Sequence, residues 1–374
     1  MKVLHLLMGG GVGGIEVFCR DLARFSGHEN VFYLVYSGGV MAQEIERGGG
    51  RVVVAGEKKQ TLLPGLWRFL RFCKREKPDV IISHAGSVIT RGFLAASARV
   101  LPGAVRIVYF HSNALLRPGG PAGALADGVC RLAYRRSRFG AAISQSVRQS
   151  WLAALHLAPE KLKVVYNGVC LSDFYALPAQ PGTPMEILYV GRLAPVKGLD
   201  TAIRALAMLP DAVDFRFTVV GGGAPDYLAY LQRLVCDGGL QERVFFAGET
   251  RSPAALYAGA DVFVHPATAP EGFGITLVEA MASGLPCVAF ACGASPELIE
   301  DSVCGFLVPE KTDRALSRTL AHVWQLYSTG GLGAYAAAAK KRAAAFSIEK
   351  SVQTLESLYL EAPPPGENGR QNPK

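Results

Sequence analysis

Short apolar runs rich in β-branched residues alternate along this chain with stretches of helical periodicity, and that rhythm limits the fold more than any other feature. The runs are Val3–Met8, Val31–Tyr36, Val80–Ser83 and Arg106–Phe110 in the first half, then Glu186–Val190, Phe215–Val220, Val244–Ala247, Val262–His265 and Cys287–Phe290 in the second. Strands that are apolar throughout, rather than at every second residue, are buried on both faces. That is the condition of a parallel sheet with helices on either side. The fold class expected is therefore α/β, with doubly wound parallel sheets. At 374 residues, half of them hydrophobic, the chain is too long for one comfortable core. Two domains of about 170–190 residues each are expected.

Composition places the boundaries. Ala176 to Pro184 contains Pro and Gly between Asn167-Gly168 and a new apolar run, and reads as a linker. The expected organisation is one α/β domain over 1–170, a second over 185–345 and a tail over 362–374. The tail opens Ala-Pro-Pro-Pro-Gly-Glu-Asn-Gly, a linker composition that cannot bury enough apolar surface to order itself.

Charge is uneven. Residues 1–170 carry 23 Lys and Arg against 10 Asp and Glu, a net +13, whereas residues 171–374 carry 16 against 21, a net −5. A basic N-terminal half implies an anionic partner. No zinc-finger, RNP or basic-zipper pattern is present, so nucleic acid is not expected, and an anionic membrane surface or phosphate-bearing glycolipid is. Two stretches concentrate the charge. In Leu66 to Lys77, Arg68, Arg71 and Arg75 recur at helical spacing opposite Leu66, Phe69, Leu70 and Cys73. Such a helix either lies in a bilayer interface or packs its apolar face on the sheet as an ordinary crossover. Arg131, Arg135, Arg136 and Arg138 fall near a predicted helix end, where cations also complement the dipole. The eight cysteines form no CxxC pattern, which argues against zinc and a disulfide framework and for reduced thiols of a cytoplasmic protein. Val3 to Met8 is too short for a signal peptide, and no apolar run is long enough to span a bilayer.

The densest chemical signal is Glu271-Gly-Phe-Gly-Ile-Thr-Leu-Val-Glu279. It sets one carboxylate in a Gly-rich turn and the other about one turn into an apolar helix. A helix N-terminus offers free N–H groups and a positive dipole end, so the turn Gly272 to Thr276 suits a diphosphate. Ionised carboxylates on either side accept hydrogen bonds from hydroxyls. Hydroxyls flanking a diphosphate describe a nucleotide-sugar. Arg192 and Lys197 follow the strand ending at Val190, at the carboxyl end where open α/β sheets bind ligands. Cations there stabilise the charge growing on a departing diphosphate.

These residues, with Gly191-Arg192-Leu193, Lys197-Gly198, Gly221 to Gly223, Asn167-Gly168 and Gly13-Gly14-Ile-Glu16 in the same order, resemble the retaining family 4 glycosyltransferases over about residues 1–350. The resemblance implies the GT-B fold, two Rossmann-like doubly wound domains over 1–170 and 185–345 facing across a cleft, with a C-terminal crossover helix over 346–361, and transfer from a UDP- or GDP-sugar to a glycan or lipid-linked acceptor, in lipopolysaccharide or exopolysaccharide biosynthesis. It gives Glu271 the donor-sugar hydroxyls, Glu279 the ribose, Arg192 and Lys197 the leaving diphosphate, and His111 the donor sugar. Gly14, Gly222, Gly223, Glu249, Thr250, Gly272, Phe273, Gly274, Ile275 and Thr276 complete the donor side. Gly13, Glu16 and Asn113 face the acceptor. No metal or other cofactor is implied, the chain having no Asp-x-Asp and no His/Cys ligand cluster, and the protein is expected in the cytoplasm, peripheral on the inner face of the membrane. The chain departs from the family pattern at Ala267, where Ser often follows Pro, and at Ile348, where Trp is usual.

Three other readings stand beside this one. Gly9, Gly11 and Gly14 satisfy the dinucleotide GxGxxG pattern, yet the second strand ends Tyr36-Ser37-Gly38-Gly39 without the acid that would hold a ribose. An inactive nucleotide-sugar-binding protein and a GT-B UDP-sugar isomerase are the others.

Overall fold

The computed structural model describes residues 1–11, 13–56, 62–84, 86–114, 119–174, 184–250 and 254–360. The expected linker, apart from Pro184, and the expected tail lie outside the described residues. The chain forms two compact units, one made of Met1–Gly168 and rejoined by the segment from Ile348, the other of Val169–Ser347.

The first unit is built on β1 (Lys2–Leu7), β2 (Glu29–Leu34), β3 (Arg51–Val54), β4 (Val80–Ser83), β5 (Val105–Phe110), β6 (Phe139–Ala142) and β7 (Leu162–Val164). They form a parallel sheet in the order β3-β2-β1-β4-β5-β6-β7. The second unit holds β8 (Met185–Val190), β9 (Phe215–Val220), β10 (Val244–Gly248), β11 (Val262–His265), β12 (Cys287–Phe290) and β13 (Gly305–Val308). Their parallel order is β10-β9-β8-β11-β12-β13. Every residue of β4, β11 and β12 is buried, as strands covered by helices on both faces must be.

Both sheets reverse direction beside the first strand of their unit, between β1 and β4 and between β8 and β11. In an open α/β sheet the crevice outside the carboxyl ends at such a reversal is where ligands bind. The loops leaving β1, β4, β8 and β11 carry the Gly9 to Gly14 run, His84, the Arg192 to Lys197 segment and the Pro266 to Glu271 segment.

Four strands carry no strong signal in the sequence. β3 is a half-exposed edge, β7 is three residues long, and β6 (Phe-Gly-Ala-Ala) and β13 (Gly-Phe-Leu-Val) contain residues of poor strand propensity. Sheet pairing supplies what their propensity lacks.

The basic stretch before β4 is the helix Leu62–Glu76. Phe69, Phe72 and Cys73 are buried, and Phe69 stacks on Phe93 with ring centroids 5.0 Å apart. This apolar face belongs to the sheet and is closed to a bilayer. Trp67 and Leu63 remain outside, 62% and 81% exposed, with the Arg71 guanidinium over the Trp67 ring.

The last helix, Ile348–Leu360, closes the first unit from the far end of the chain. Ile348, Val352, Leu355 and Tyr359 recur at helical spacing and are buried. Ser351 donates to the Tyr166 carbonyl at 2.5 Å and Ser26 donates to Glu356 at 2.7 Å. Leu355→Ala should therefore destabilise the first unit by about 2–5 kcal/mol, the usual cost of emptying a buried leucine site. Hydrogen-exchange mass spectrometry should find the loss of protection in peptides from β1 to β7, with those from β8 to β13 unchanged.

Candidate active site

In the second unit the segment Pro195–Lys197 ends at Gly198, which opens the helix Leu199–Ala207. Gly198 has φ +69°, and a Cβ there would lie 1.9 Å from the Pro266 carbonyl oxygen. Only glycine lets the loop after β8 meet the loop after β11 this closely. Thr268 N–H donating to the Val196 carbonyl at 3.1 Å fastens the same two loops. Gly293 (φ +60°) does the equivalent from the loop after β12, since its Cβ would fall 2.4 Å from the Glu271 backbone, and Ala294 N–H donates to the Glu271 carbonyl at 3.1 Å.

These approaches bring three ionisable side chains together. The Lys197 ammonium donates to Glu271 Oε1 at 2.6 Å. His265, the last residue of β11, places Nε2 2.6 Å from Glu271 Oε2. Burial pushes the Glu271 carboxyl up, but the His265 imidazole and the Lys197 ammonium outweigh it and hold the group well below the usual carboxylate range. Glu271 is thus a fixed anion, acceptor-only, with its side chain still 26% exposed. The sequence presents Lys197 and Glu271 as separate contributors; the structure joins them. His265 escaped the sequence reading altogether. The signal available was a histidine closing a fully apolar parallel strand.

Beyond Glu271, Gly274 (φ +95°) starts the helix Ile275–Ala282, which has no capping side chain and no acidic residue in its first turn. Its free N–H groups and dipole suit an anion beside Gly272, Ile275 and Thr276. Phe273 is turned inward, edge-on to Phe346, and offers a ligand its backbone alone. Glu279 accepts a hydrogen bond from the buried Tyr257 hydroxyl at 2.8 Å. Arg192 is exposed and makes no ion pair among the described residues, while its carbonyl accepts from the Tyr189 hydroxyl. The loop after β9 lies against that after β10: a Cβ on Gly222 would meet Glu249 Oε1 at 2.0 Å. Gly223, Glu249 and Thr250 are exposed.

In the first unit, Gly13 and Gly14 open the helix Gly14–Phe25, and the Glu16 carboxylate folds back over Gly13. Partial burial pushes that carboxyl up. His111 follows β5 and is half-buried, and Asn113 is buried within 3.5 Å of Ser146 Oγ. His111 does not stand alone. His5 on β1 and His84 after β4, both fully buried, join it in a line of side-chain hydrogen bonds of 2.9 and 3.1 Å. No pattern of sequence spacing links residues 5, 84 and 111; the sheet order does, because β1, β4 and β5 are neighbours.

The two units match two consecutive family models, Glycosyltransferase Family 4 over residues 12–173 and Glycosyl transferases group 1 over residues 177–353. The chain belongs to the family 4 glycosyltransferases. Its GT-B fold is that of Anabaena Alr3699/HepE, solved with UDP, at a TM-score of 0.84 and 24% identity over 97% of this chain and 100% of that one. Among curated proteins this family member is 36% identical over 176 residues to the candidate colanic acid biosynthesis glycosyltransferase WcaL of Escherichia coli, covering 45% of this chain and 43% of WcaL. It is 33% identical over 223 residues to D-inositol 3-phosphate glycosyltransferase of Mycobacterium bovis, covering 56% of this chain and 46% of that protein. The matched stretch spans less than half of either curated relative.

Burial lowers the pKa of His5 to about 4, that of His111 to about 3 and that of His84 well below the ordinary value. The unfolded chain takes up protons below about pH 6.5, where the folded state still refuses them. The stabilising effect is complete above that pH and is lost as the pH falls toward the folded values, by about 1.4 kcal/mol per pH unit for each proton excluded. Urea midpoints of the first unit should therefore drop steadily from pH 6.5 to 4.5. A flat profile over that window would contradict neutral burial of the three rings.

Proposed function

We propose that this chain is a retaining glycosyltransferase that moves a sugar from a UDP- or GDP-sugar to a glycan or lipid-linked acceptor in lipopolysaccharide or exopolysaccharide biosynthesis. The observation that carries the reading is the Glu271 carboxylate, kept ionised by Lys197 and His265 immediately before an uncapped helix N-terminus. Solved neighbours carrying UDP and UDP-glucose support a nucleotide-sugar donor. WcaL, and the lipopolysaccharide outer core galactosyltransferase WaaB with a TM-score of 0.75 at 18% identity, support the acceptor class.

In this reading Glu271 accepts hydrogen bonds from donor-sugar hydroxyls and Glu279, steadied by Tyr257, from those of the ribose. The diphosphate lies at the N-terminus of Ile275–Ala282. Lys197 spends one N–H on Glu271 and has two more for a phosphate, and the exposed Arg192 on the same loop after β8 adds a second cation. These cations stabilise the leaving charge in place of a metal. His111 meets a sugar hydroxyl, and Gly13, Glu16 and Asn113 border the acceptor. The bond from the anomeric carbon to the diphosphate breaks as the acceptor oxygen attaches on the same face, and the acceptor's proton passes to the departing diphosphate oxygen.

The exposed cations of Leu62–Glu76, with Trp67 and Leu63 outside the core, dock this face peripherally on anionic lipid. No helix among the described residues is long and apolar enough to cross a membrane.

Nucleotide release from a panel of UDP- and GDP-sugars, with and without a glycolipid extract, tests the activity. Lys197→Ala should slow turnover on the order of 100-fold, and EDTA should leave the wild type nearly intact. Glu279→Gln, which keeps an acceptor for Tyr257 while removing the charge, should weaken UDP or GDP binding about tenfold by calorimetry. Unchanged affinity would remove the ribose role, and full inhibition by EDTA would overturn the metal-independent mechanism.

Each Lys or Arg near an anionic bilayer contributes about 1 kcal/mol. The triple variant Arg68→Glu, Arg71→Glu, Arg75→Glu should no longer sediment with anionic vesicles at low salt, while turnover on a short soluble acceptor is retained. Wild-type protein that ignores such vesicles would refute the docking face.

A further inference from the structure

His5, His84 and His111 form a directed chain whose polarity can be worked out from one end. Asn30 Nδ2 lies 3.0 Å from the His28 carbonyl oxygen, a group that can only accept. The amide of Asn30 must therefore turn its NH2 to that carbonyl and its Oδ1 to His5. Oδ1 is 3.0 Å from His5 Nε2, which must carry the proton. In a neutral imidazole the other nitrogen is then bare, so His5 Nδ1 accepts from His84 Nε2 at 2.9 Å. By the same step His84 Nδ1 accepts from His111 Nε2 at 3.1 Å. The sequence of obligations ends at His111 Nδ1, left as a lone pair, shielded from solvent and without a hydrogen-bond partner among the described residues.

The rings are kept neutral by their surroundings. His5 stacks on Phe32 at 4.6 Å, Tyr109 lies 5.4 Å from His84 and 4.3 Å from His111, and Phe18 is 5.8 Å from His111. Among the described residues, the histidines within ion-pair distance of a carboxylate are His28 and His265, neither of them in the chain. An imidazolium here would be a desolvated charge without a counter-ion.

We propose that Asn30, His5 and His84 are positioning residues that fix the tautomer of His111, so that its Nδ1 can only accept a hydrogen bond and selects a substrate group that donates one. A sugar hydroxyl fits this requirement; a carboxylate or phosphate oxygen does not. The inference deepens the reading above, in which His111 meets a sugar hydroxyl, and adds what decides the direction of that hydrogen bond.

Long-range proton–nitrogen correlation spectra of protein labelled with nitrogen-15 histidine separate protonated from bare ring nitrogens. At pH 7 the ligand-free wild type should give His5, His84 and His111 all as Nε2–H tautomers. Asn30→Leu removes the terminal acceptor, and His5→Phe keeps the ring stack but cuts the chain. Both should let a Nδ1–H population appear at His111 and lower kcat/KM about tenfold while UDP still binds. His111 found as Nδ1–H or as imidazolium in the wild type would overturn the proposal, and that spectrum needs no variant. So would a His111 tautomer unmoved in either folded variant. If the tautomer shifts as expected but turnover of the sugar nucleotide active in the panel does not change, the lock stands and the substrate-facing reading of His111 fails.

Discussion

The arrangement of the second unit depends on a carboxylate that cannot become neutral. Glu271 is drawn out of bulk water, which by itself favours its protonated form, and Lys197 and His265 reverse that preference. A neutral carboxyl would donate as well as accept and would lose its hold on the ammonium. To keep the anion, three loops must converge. The loop after β8 supplies Lys197, the end of β11 supplies His265, and the loop after β12 holds the Glu271 backbone. Glycines at 198 and 293 are the cost of bringing main chains so close.

The first unit fixes protonation by the opposite means. His5, His84 and His111 have no counter-ion among the described residues and are boxed by Phe18, Phe32 and Tyr109, so the low local dielectric keeps them neutral, while the Asn30 amide at one end orients the hydrogen bonds. Paired charge holds Glu271 as an anion in one unit, and charge exclusion keeps His5, His84 and His111 neutral in the other. For the proposed sugar transfer, which would move one proton and otherwise stabilise negative charge, certainty of protonation state is worth as much as correct placement.

Much of this was legible in the sequence. The apolar runs announced parallel sheets because strands covered on both faces have no polar positions to reveal, and Val80–Ser83 and Val262–His265 were found to the residue. The Glu271 to Glu279 spacing was legible because a helix entry is a local event, written in consecutive residues. β3, β6, β7 and β13 were not, because short, edge or Gly- and Ala-containing strands owe their structure to their neighbours. The amphipathic helix Leu62–Glu76 was visible, but the sequence offered two partners for its apolar face. Packing of Phe69 and Phe72 on the sheet chose one.

By itself, the sequence determined most of the elements, the family and the chemical types at the site: which residues carry charge, which turn opens the diphosphate-compatible helix, and where glycine is needed. Tertiary structure decided who stands beside whom. Lys197 meets Glu271 across 74 residues, and His5 reaches His111 through His84. A residue's ionisation or tautomer is a property of its neighbours rather than of its type. In a parallel sheet those neighbours are set by strand order, which places side by side residues far apart in the chain.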